Sequence, residues 1–119
     1  MSLQELYLSP NGRINRRTFW LQGVLVFVAI SLVASLLDAL LDTRGIMGGI
    51  AGVLLIVPGI MVQIKRWHDR DKSGWWILIG LVPVIGGIWA LVETGFLPGT
   101  PGPNRFGAPQ TADVVMQRA

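Results

Sequence analysis

The sequence predicts an all-α integral membrane protein, and its composition and charge pattern both indicate that class. Hydrophobic residues make up 51% of the 119 residues and charged residues only 14%, compared with about 25% in an ordinary globular domain. Three long runs carry no charge, and the charged residues lie between these runs or near the ends of the chain. Charge this sparse cannot cover a surface that faces water, so much of the exterior must face lipid.

The first two apolar runs, residues 19–37 and 46–64, are each long enough to cross a bilayer. As a helix, each would extend about 28 Å, close to the hydrocarbon thickness of about 30 Å. Helices are required because lipid offers the backbone no hydrogen-bond partner. We therefore predict helix 1 at residues 18–41 and helix 2 at residues 46–64. Asn15 is the predicted N-cap of the first helix, since its side-chain oxygen can accept a bond from a first-turn N–H.

The third apolar run starts at Trp75, and we predict a third spanning helix over residues 75–97. Pro83 and the pair Gly86-Gly87 interrupt this run, and proline removes a helical hydrogen bond. A break there would turn the run into a re-entrant hairpin and return the tail to the side from which the hairpin entered. Proline within a membrane helix is more often a kink, so three spans are the prediction.

Basic residues set the predicted orientation. The N-terminal segment, residues 1–17, and the loop at residues 65–74 hold seven lysines and arginines, whereas the first loop and the tail, residues 98–119, hold three. The seven are Arg13, Arg16, Arg17, Lys65, Arg66, Arg70 and Lys72. The positive-inside rule then places the N-terminus in the cytoplasm and, with three spans, the tail outside. These basic residues flank apolar spans and form no separate patch, so no nucleic-acid partner is expected.

Small residues indicate how the helices could pack. Gly45 and Gly49, and likewise Gly48 and Gly52, form two overlapping pairs with the spacing that lets helices approach closely in lipid. We expect these pairs to pack helices within the chain. The alternative is that they form a homo-oligomer interface.

Three polar motifs flank the apolar runs. They are Gly12-Arg13-Ile14-Asn15-Arg16 before Phe19-Trp20; Arg66 and His68-Asp69 before Ser73-Gly74-Trp75-Trp76; and Pro98-Gly99-Thr100 before Gly102 and Asn104-Arg105-Phe106-Gly107. In this order, they resemble the bacterial family known as domain of unknown function 805 (DUF805), and the resemblance spans nearly the whole chain. It implies a small multi-pass protein of the bacterial cytoplasmic (inner) membrane and no established activity. Trp67 stands where the family usually has an aliphatic residue, and Arg70-Asp71 replaces a less charged pair.

His68 and Asp69 are the candidates for acid–base chemistry. Adjacent residues on a helix point about 100° apart, so Asp69 is poorly placed to orient His68. No serine has a nucleophile motif around it, and Ser73 is more plausible as a turn or cap before the third run. Asp38 and Glu93 are expected at span ends rather than inside the membrane. We therefore expect no catalytic residue, no cofactor and no metal.

Two readings of the central loop stay open. It could be a salt-bridged turn in which Asp69 and Asp71 neutralise neighbouring arginines, or it could contact anionic lipid headgroups or a protein partner. The candidate binding residues are Arg13, Arg16, Arg17, Arg66, His68, Asp69, Arg70, Ser73, Gly74, Trp75, Asn104 and Arg105.

The predicted function is a non-catalytic interaction or membrane-organising component whose partners are anionic lipids, with a second copy or other membrane proteins as further possibilities. The first alternative is a small oligomeric transporter or channel. The second is a membrane enzyme that uses His68.

Overall fold

The computed structural model describes residues 1–110, and every regular element within that part of the chain is helical. A short helix α1, Leu3–Leu8, precedes two long antiparallel helices, α2 (Arg16–Leu41) and α3 (Ile46–Asp69). A 3₁₀ helix, Gly74–Leu81, and a shorter apolar helix α4, Ile85–Phe96, follow. The tail after α4 is irregular.

The two long helices are where the apolar runs predicted them. Asn15 caps α2 as expected, its side-chain oxygen accepting a 2.8 Å bond from the backbone N–H of Thr18. α2 passes through a π-helical stretch at Phe19–Val24 before regular α geometry resumes. α3 continues to Asp69, so the first part of the loop predicted at residues 65–74 is in fact the last turn of a helix.

Length and exposure both indicate that α2 and α3 suit a membrane. They contain 26 and 24 residues, or about 39 and 36 Å of helix against a hydrocarbon core of about 30 Å. In the most apolar 18 residues of each helix, only 6% are buried inside the protein. The core helix of a soluble protein would be mostly buried, so these apolar faces need a non-aqueous environment.

The close contacts between α2 and α3 differ from those predicted. A Cβ on Gly23 would lie 3.2 Å from Val62, and a Cβ on Gly59 would lie 3.2 Å from the ring of Phe27. Among the predicted packing glycines, only Gly48 faces α2, where its Cβ would lie 3.3 Å from a carboxylate oxygen. That oxygen belongs to Asp38, which caps α3 by accepting bonds from the first backbone N–H groups of that helix.

The other three glycines predicted to pack helices do not do so within the described residues. A Cβ added to Gly45, Gly49 or Gly52 would meet nothing within 4 Å. The expectation of packing within the chain is therefore wrong for these three positions. Gly49 and Gly52 lie on an exposed face of α3, and Gly45 lies exposed in the turn before it.

The third apolar run is not one helix over residues 75–97, so that prediction is wrong. The 3₁₀ helix Gly74–Leu81 extends about 16 Å and α4 about 18 Å, and neither reaches the bilayer thickness of about 30 Å. The break falls at Pro83, after which Val84 adopts the unusual φ of 63°. Gly86 then packs so closely on the carbonyl of Ile79 that a Cβ there would overlap it. The run therefore folds back on itself.

The three-span prediction separates the tail from the N-terminal segment, whereas in the structure these two segments are in contact. Thr100 accepts a 2.8 Å bond from Arg13 through its carbonyl, and the carbonyl of Gly102 accepts another at 2.8 Å. The tail over residues 98–107 thus lies at the same end of the molecule as the N-terminal segment. Residues 111–119 of the predicted tail, which include Arg118, lie outside the described part of the chain.

These contacts assemble a polar cap at one end of the helices. We define the polar cap as residues 1–15, 65–73 and 98–107. Its apolar core is formed by Leu6 and Ile14, together with residues of α2 and α3 beneath them. Lys65 reaches into this cap and donates a 2.9 Å bond to the carbonyl of Leu6, which fixes α1 on α3.

Candidate functional site

The centre of the polar cap is a buried cluster of two arginines and one aspartate. The carboxylate of Asp69 accepts a 3.0 Å bond from Nε of Arg13 and a 2.5 Å bond from Nη1 of Arg66. Both arginine side chains are 0% exposed and the aspartate side chain is 6% exposed. One carboxylate cannot accept hydrogen bonds from all the donors of two guanidinium groups in a site without water. Backbone carbonyls provide the further hydrogen-bond acceptors.

Arg13 collects its further acceptors from the tail. Its Nη1 donates to the carbonyls of Gly102 at 2.8 Å and Gly107 at 3.1 Å. Its Nη2 donates to the carbonyl of Thr100 at 2.8 Å and to the hydroxyl of the same residue at 3.2 Å. With Nε on Asp69, these bonds match the five donors of a guanidinium. Arg13 therefore orders the tail and has no donor left for a lipid headgroup.

Arg66 orders the end of α4 in the same way, by donating hydrogen bonds to backbone carbonyls. Its Nε donates to the carbonyl of Thr94 at 2.5 Å, and its Nη2 donates to the carbonyl of Leu97 at 2.8 Å. Its Nη1 also bonds to the carbonyl of Ile14 at 3.2 Å. Carbonyls at a helix C-terminus lack partners within the helix, so a buried cation there satisfies them. Arg66 thereby joins α3, α4 and the N-terminal segment.

His68 is part of this structure and not paired with Asp69. Its Nδ1 lies 3.0 Å from the carbonyl of Gly12, and since a carbonyl only accepts, this geometry requires a proton on Nδ1. Its ring stacks on Phe106 at a centroid distance of 3.9 Å and an interplanar angle of 4°. Asn104 donates a 2.9 Å bond to the carbonyl of His68. A catalytic base needs an accessible lone pair and an orienting acid, and Asp69 is occupied by arginines.

A second ionic cluster joins the loop to α4. The carboxylate of Glu93 lies 2.5 Å from Nζ of Lys72 and 3.5 Å from Nε of Arg70, and Nε1 of Trp89 donates to it at 2.9 Å. The ammonium of Lys72 lies 4.6 Å above the ring of Trp76, a favourable cation–π position. Lys72 and Arg70 are half-buried, whereas Glu93 is buried.

A third ion pair, near the surface, attaches the tip of the tail. Nε of Arg105 lies 3.1 Å from Asp71, and the backbone N–H of Arg105 donates to the same carboxylate oxygen. The side-chain hydrogen bond from Arg105 is the main reason that the pKa of the Asp71 carboxyl lies below its ordinary value. The reading of the loop as a salt-bridged turn agrees with these contacts, although the partners of the two aspartates come largely from other segments.

The remaining predicted site residues lie at the rim of the polar cap. Arg16 and Arg17 are exposed, and Arg16 donates a 2.8 Å bond to the carbonyl of Phe96. Ser73 caps the 3₁₀ helix by accepting a 3.2 Å bond from the N–H of Trp75. Gly74 packs closely on Ile64, and Trp75 is 79% exposed.

Sequence reasoning missed several residues that complete the site. The sequence predicts only interfacial charges for Lys65 and Lys72 and only the end of a span for Glu93. A lone carboxylate at the end of an apolar run is the available signal for Glu93, although its cations, Lys72 and Arg70, lie 21 and 23 residues before it in sequence. No signal marked the carbonyls of Thr94 and Thr100, because an acceptor on the backbone has no side-chain signature. In residues 1–110, no group of three or more potential metal ligands is present.

The fold and the site define the class of this protein. It is an all-helical protein with two membrane-length helices and a polar cap held by buried arginines. The model of the family described as "Protein of unknown function (DUF805)" matches residues 7–108. The chain belongs to the DUF805 family.

Relatives agree with this assignment. The Escherichia coli K12 inner membrane protein YhaH is 39% identical over 107 residues, covering 85% of this chain and 86% of the relative. Inner membrane protein YhaI from the same strain is 32% identical over 90% of both chains. The uncharacterized protein YiiR, also from that strain, is 31% identical over 96% of this chain and 93% of its own length. No solved structure matches the chain.

Proposed function

We propose that this protein is a non-catalytic organising component of the bacterial inner membrane that gathers anionic lipids around a rigid cytoplasmic cap. The observation that carries the proposal is the hydrogen bonding of the central cluster. Arg13, Arg66 and Asp69 form bonds to one another and to backbone carbonyls, which leaves them a structural role. The cations at the rim of the cap then remain to face the membrane surface.

The proposal includes a topology of two spanning helices and a re-entrant third element. Contacts between Arg13 and Thr100 support a tail on the same side as the N-terminal segment. Of the nine lysines and arginines in residues 1–110, eight lie at the cap end, and Arg44 alone lies in the turn at the other end. By the positive-inside rule, a bias of this size supports a cytoplasmic cap.

Cysteine labelling tests this topology, and the chain has no native cysteine to interfere. Asn11→Cys, Pro101→Cys and Arg44→Cys each place a thiol at an exposed position. In intact cells, a membrane-impermeant maleimide should label only Arg44→Cys, and permeabilisation should expose the other two. Labelling of Pro101→Cys but not Asn11→Cys in intact cells would contradict the shared cap.

The rim cations provide the lipid preference in this proposal. Arg16, Arg17 and Arg105 are exposed and Arg70 and Lys72 are half-buried at the same end of the molecule. Each basic residue near an anionic surface contributes about 1 kcal/mol of attraction, reduced by salt. Several of them together would concentrate anionic lipid around the cap.

Lipid analysis of the purified protein tests this preference. The protein is reconstituted in nanodiscs from equal amounts of phosphatidylglycerol and phosphatidylethanolamine, then delipidated in steps with mild detergent while the retained lipids are quantified. We expect phosphatidylglycerol to be retained preferentially, and Arg16→Gln with Arg17→Gln to reduce the excess. Arg44→Gln, which removes a charge at the opposite end, is the control. Equal retention of both lipids by the unmodified protein would contradict the proposal.

A further inference from the structure

A groove runs along one face of α4 and ends at the Glu93 cluster. Its apolar wall is formed by Ile85, Ile88 and Val92, which recur at the spacing of one helical face. Its volume is about 530 Å³, within the range of roughly 300–1,000 Å³ typical of small-molecule sites. Ile85 and Ile88 are 67% and 59% exposed, so the groove opens to the surroundings of the protein.

The chemistry changes from apolar to ionic at the cap end of this groove. Glu93 lines the groove there, and its carboxylate contacts Lys72 at 2.5 Å and Arg70 at 3.5 Å. Two cations face one carboxylate, so this end of the groove carries an excess of one positive charge. The side chains of Arg70 and Lys72 are 24% and 29% exposed, which leaves both within reach of a ligand.

We propose that the groove is a specific site for one anionic glycerophospholipid, with an acyl chain along α4 and the phosphate at Arg70 and Lys72. This proposal rests on the proposed function, since it requires the cap to lie at the headgroup level. Charge complementarity favours a lipid with a net negative charge, such as phosphatidylglycerol, over zwitterionic phosphatidylethanolamine, whose ammonium already balances its phosphate. The cationic end carries one positive charge more than Glu93 neutralises. The groove extends about 12 Å from Ile85 to Glu93, enough for a substantial part of an acyl chain.

Aromatic residues make the cationic end rigid. The ring of Trp76 lies beneath the ammonium of Lys72 and packs between Trp67 and Trp89, at centroid distances of 5.8 and 6.2 Å. Nε1 of Trp89 holds the second oxygen of Glu93. A cation held in place loses less conformational entropy when a phosphate binds than a flexible surface lysine does. Arg70 and Lys72 thus differ from the other rim cations, Arg16, Arg17 and Arg105, whose side chains are exposed.

Photo-crosslinking tests the proposal. The protein is reconstituted in nanodiscs with a trace of phosphatidylglycerol that carries a diazirine on one acyl chain, irradiated, and mapped by peptide mass spectrometry. We expect crosslinks concentrated on Ile85–Phe96 and displaced by unlabelled phosphatidylglycerol but not by phosphatidylethanolamine. Lys72→Gln should weaken this competition roughly tenfold, the effect of losing one charge-assisted bond. Lys72→Arg should retain it.

Two further variants keep the test decisive if Lys72→Gln does not fold. Ile88→Trp fills the groove without touching an ion pair and should reduce the crosslinks on α4. Ile56→Trp makes the same change at a similarly exposed position of α3 and should leave them unchanged. Crosslinks spread evenly over α2, α3 and α4 would overturn the site, even where phosphatidylglycerol is still retained preferentially. Loss of that preference as well would instead refute the proposed function.

Discussion

Replacing Asp69 with asparagine removes the negative charge that Arg13 and Arg66 share while keeping the size of the side chain. The two ion pairs measure 3.0 and 2.5 Å, and all three side chains are at least nine-tenths buried. Removing one partner of a buried pair leaves an uncompensated charge and typically costs about 3–5 kcal/mol. We expect a loss of that size in the free energy of unfolding of Asp69→Asn.

The loss can be measured by titrating the detergent-solubilised protein with sodium dodecyl sulfate and following the fluorescence of its five tryptophans. Asp71→Asn is the matched control, since it makes the same change two residues away in a largely exposed pair with Arg105. Arg13→Gln combined with Asp69→Asn should lose less than the sum of the two single variants, because both break the same contact. If Asp69→Asn were no more destabilising than Asp71→Asn, the argument for a buried cluster would be refuted.

Two further predictions concern the hairpin and the tail. Gly86→Ala should strongly destabilise the protein in the same titration, because its Cβ would overlap the carbonyl of Ile79. Gly87→Ala is the control: its Cβ meets open space, so this variant should be neutral or slightly stabilising. Equal effects of the two variants would argue against the hairpin. Because Arg105 lowers the pKa of Asp71 in the folded protein, this contact should be intact above the unfolded pKa of about 3.9 and lost as the pH falls through the lower folded value. The anisotropy of a fluorophore in the tail should therefore stay constant from about pH 8 to pH 5 and fall only in stronger acid, and Asp71→Asn should remove that step.

The sequence was sufficient for α2 and α3 because their formation depends on local properties. An uncharged run of bilayer length must form a helix in lipid, and Asn15 supplies a cap from its own side chain. The conformation of the third apolar run does not depend on local properties alone. Whether Pro83 kinks or breaks a helix depends on what its neighbours contact, here the close approach of Gly86 to Ile79, and no pattern within the run encodes that contact.

The sequence predicts part of the site. Arg13, Arg66 and Asp69 are all candidates by sequence. A charge next to an apolar span indicates the membrane interface, whereas the structure buries all three side chains. Their burial depends on the tail folding back over them. Gly99 illustrates how tight this packing is, since a Cβ there would overlap the carboxylate of Asp69. Such a fit between segments distant in sequence cannot be read from either segment alone.

The dependence of Arg13 on the tail also sets the order in which the molecule can be completed. Arg13 precedes Thr100 by 87 residues and Gly107 by 94. At synthesis rates of about 5–20 residues per second, roughly 4 to 19 s pass between the synthesis of Arg13 and that of these acceptors. Both long helices are made before then. Closure of the cap therefore requires the third run to turn back, because a chain in which that run crossed the bilayer would leave Arg13 and its acceptors in the tail on opposite sides.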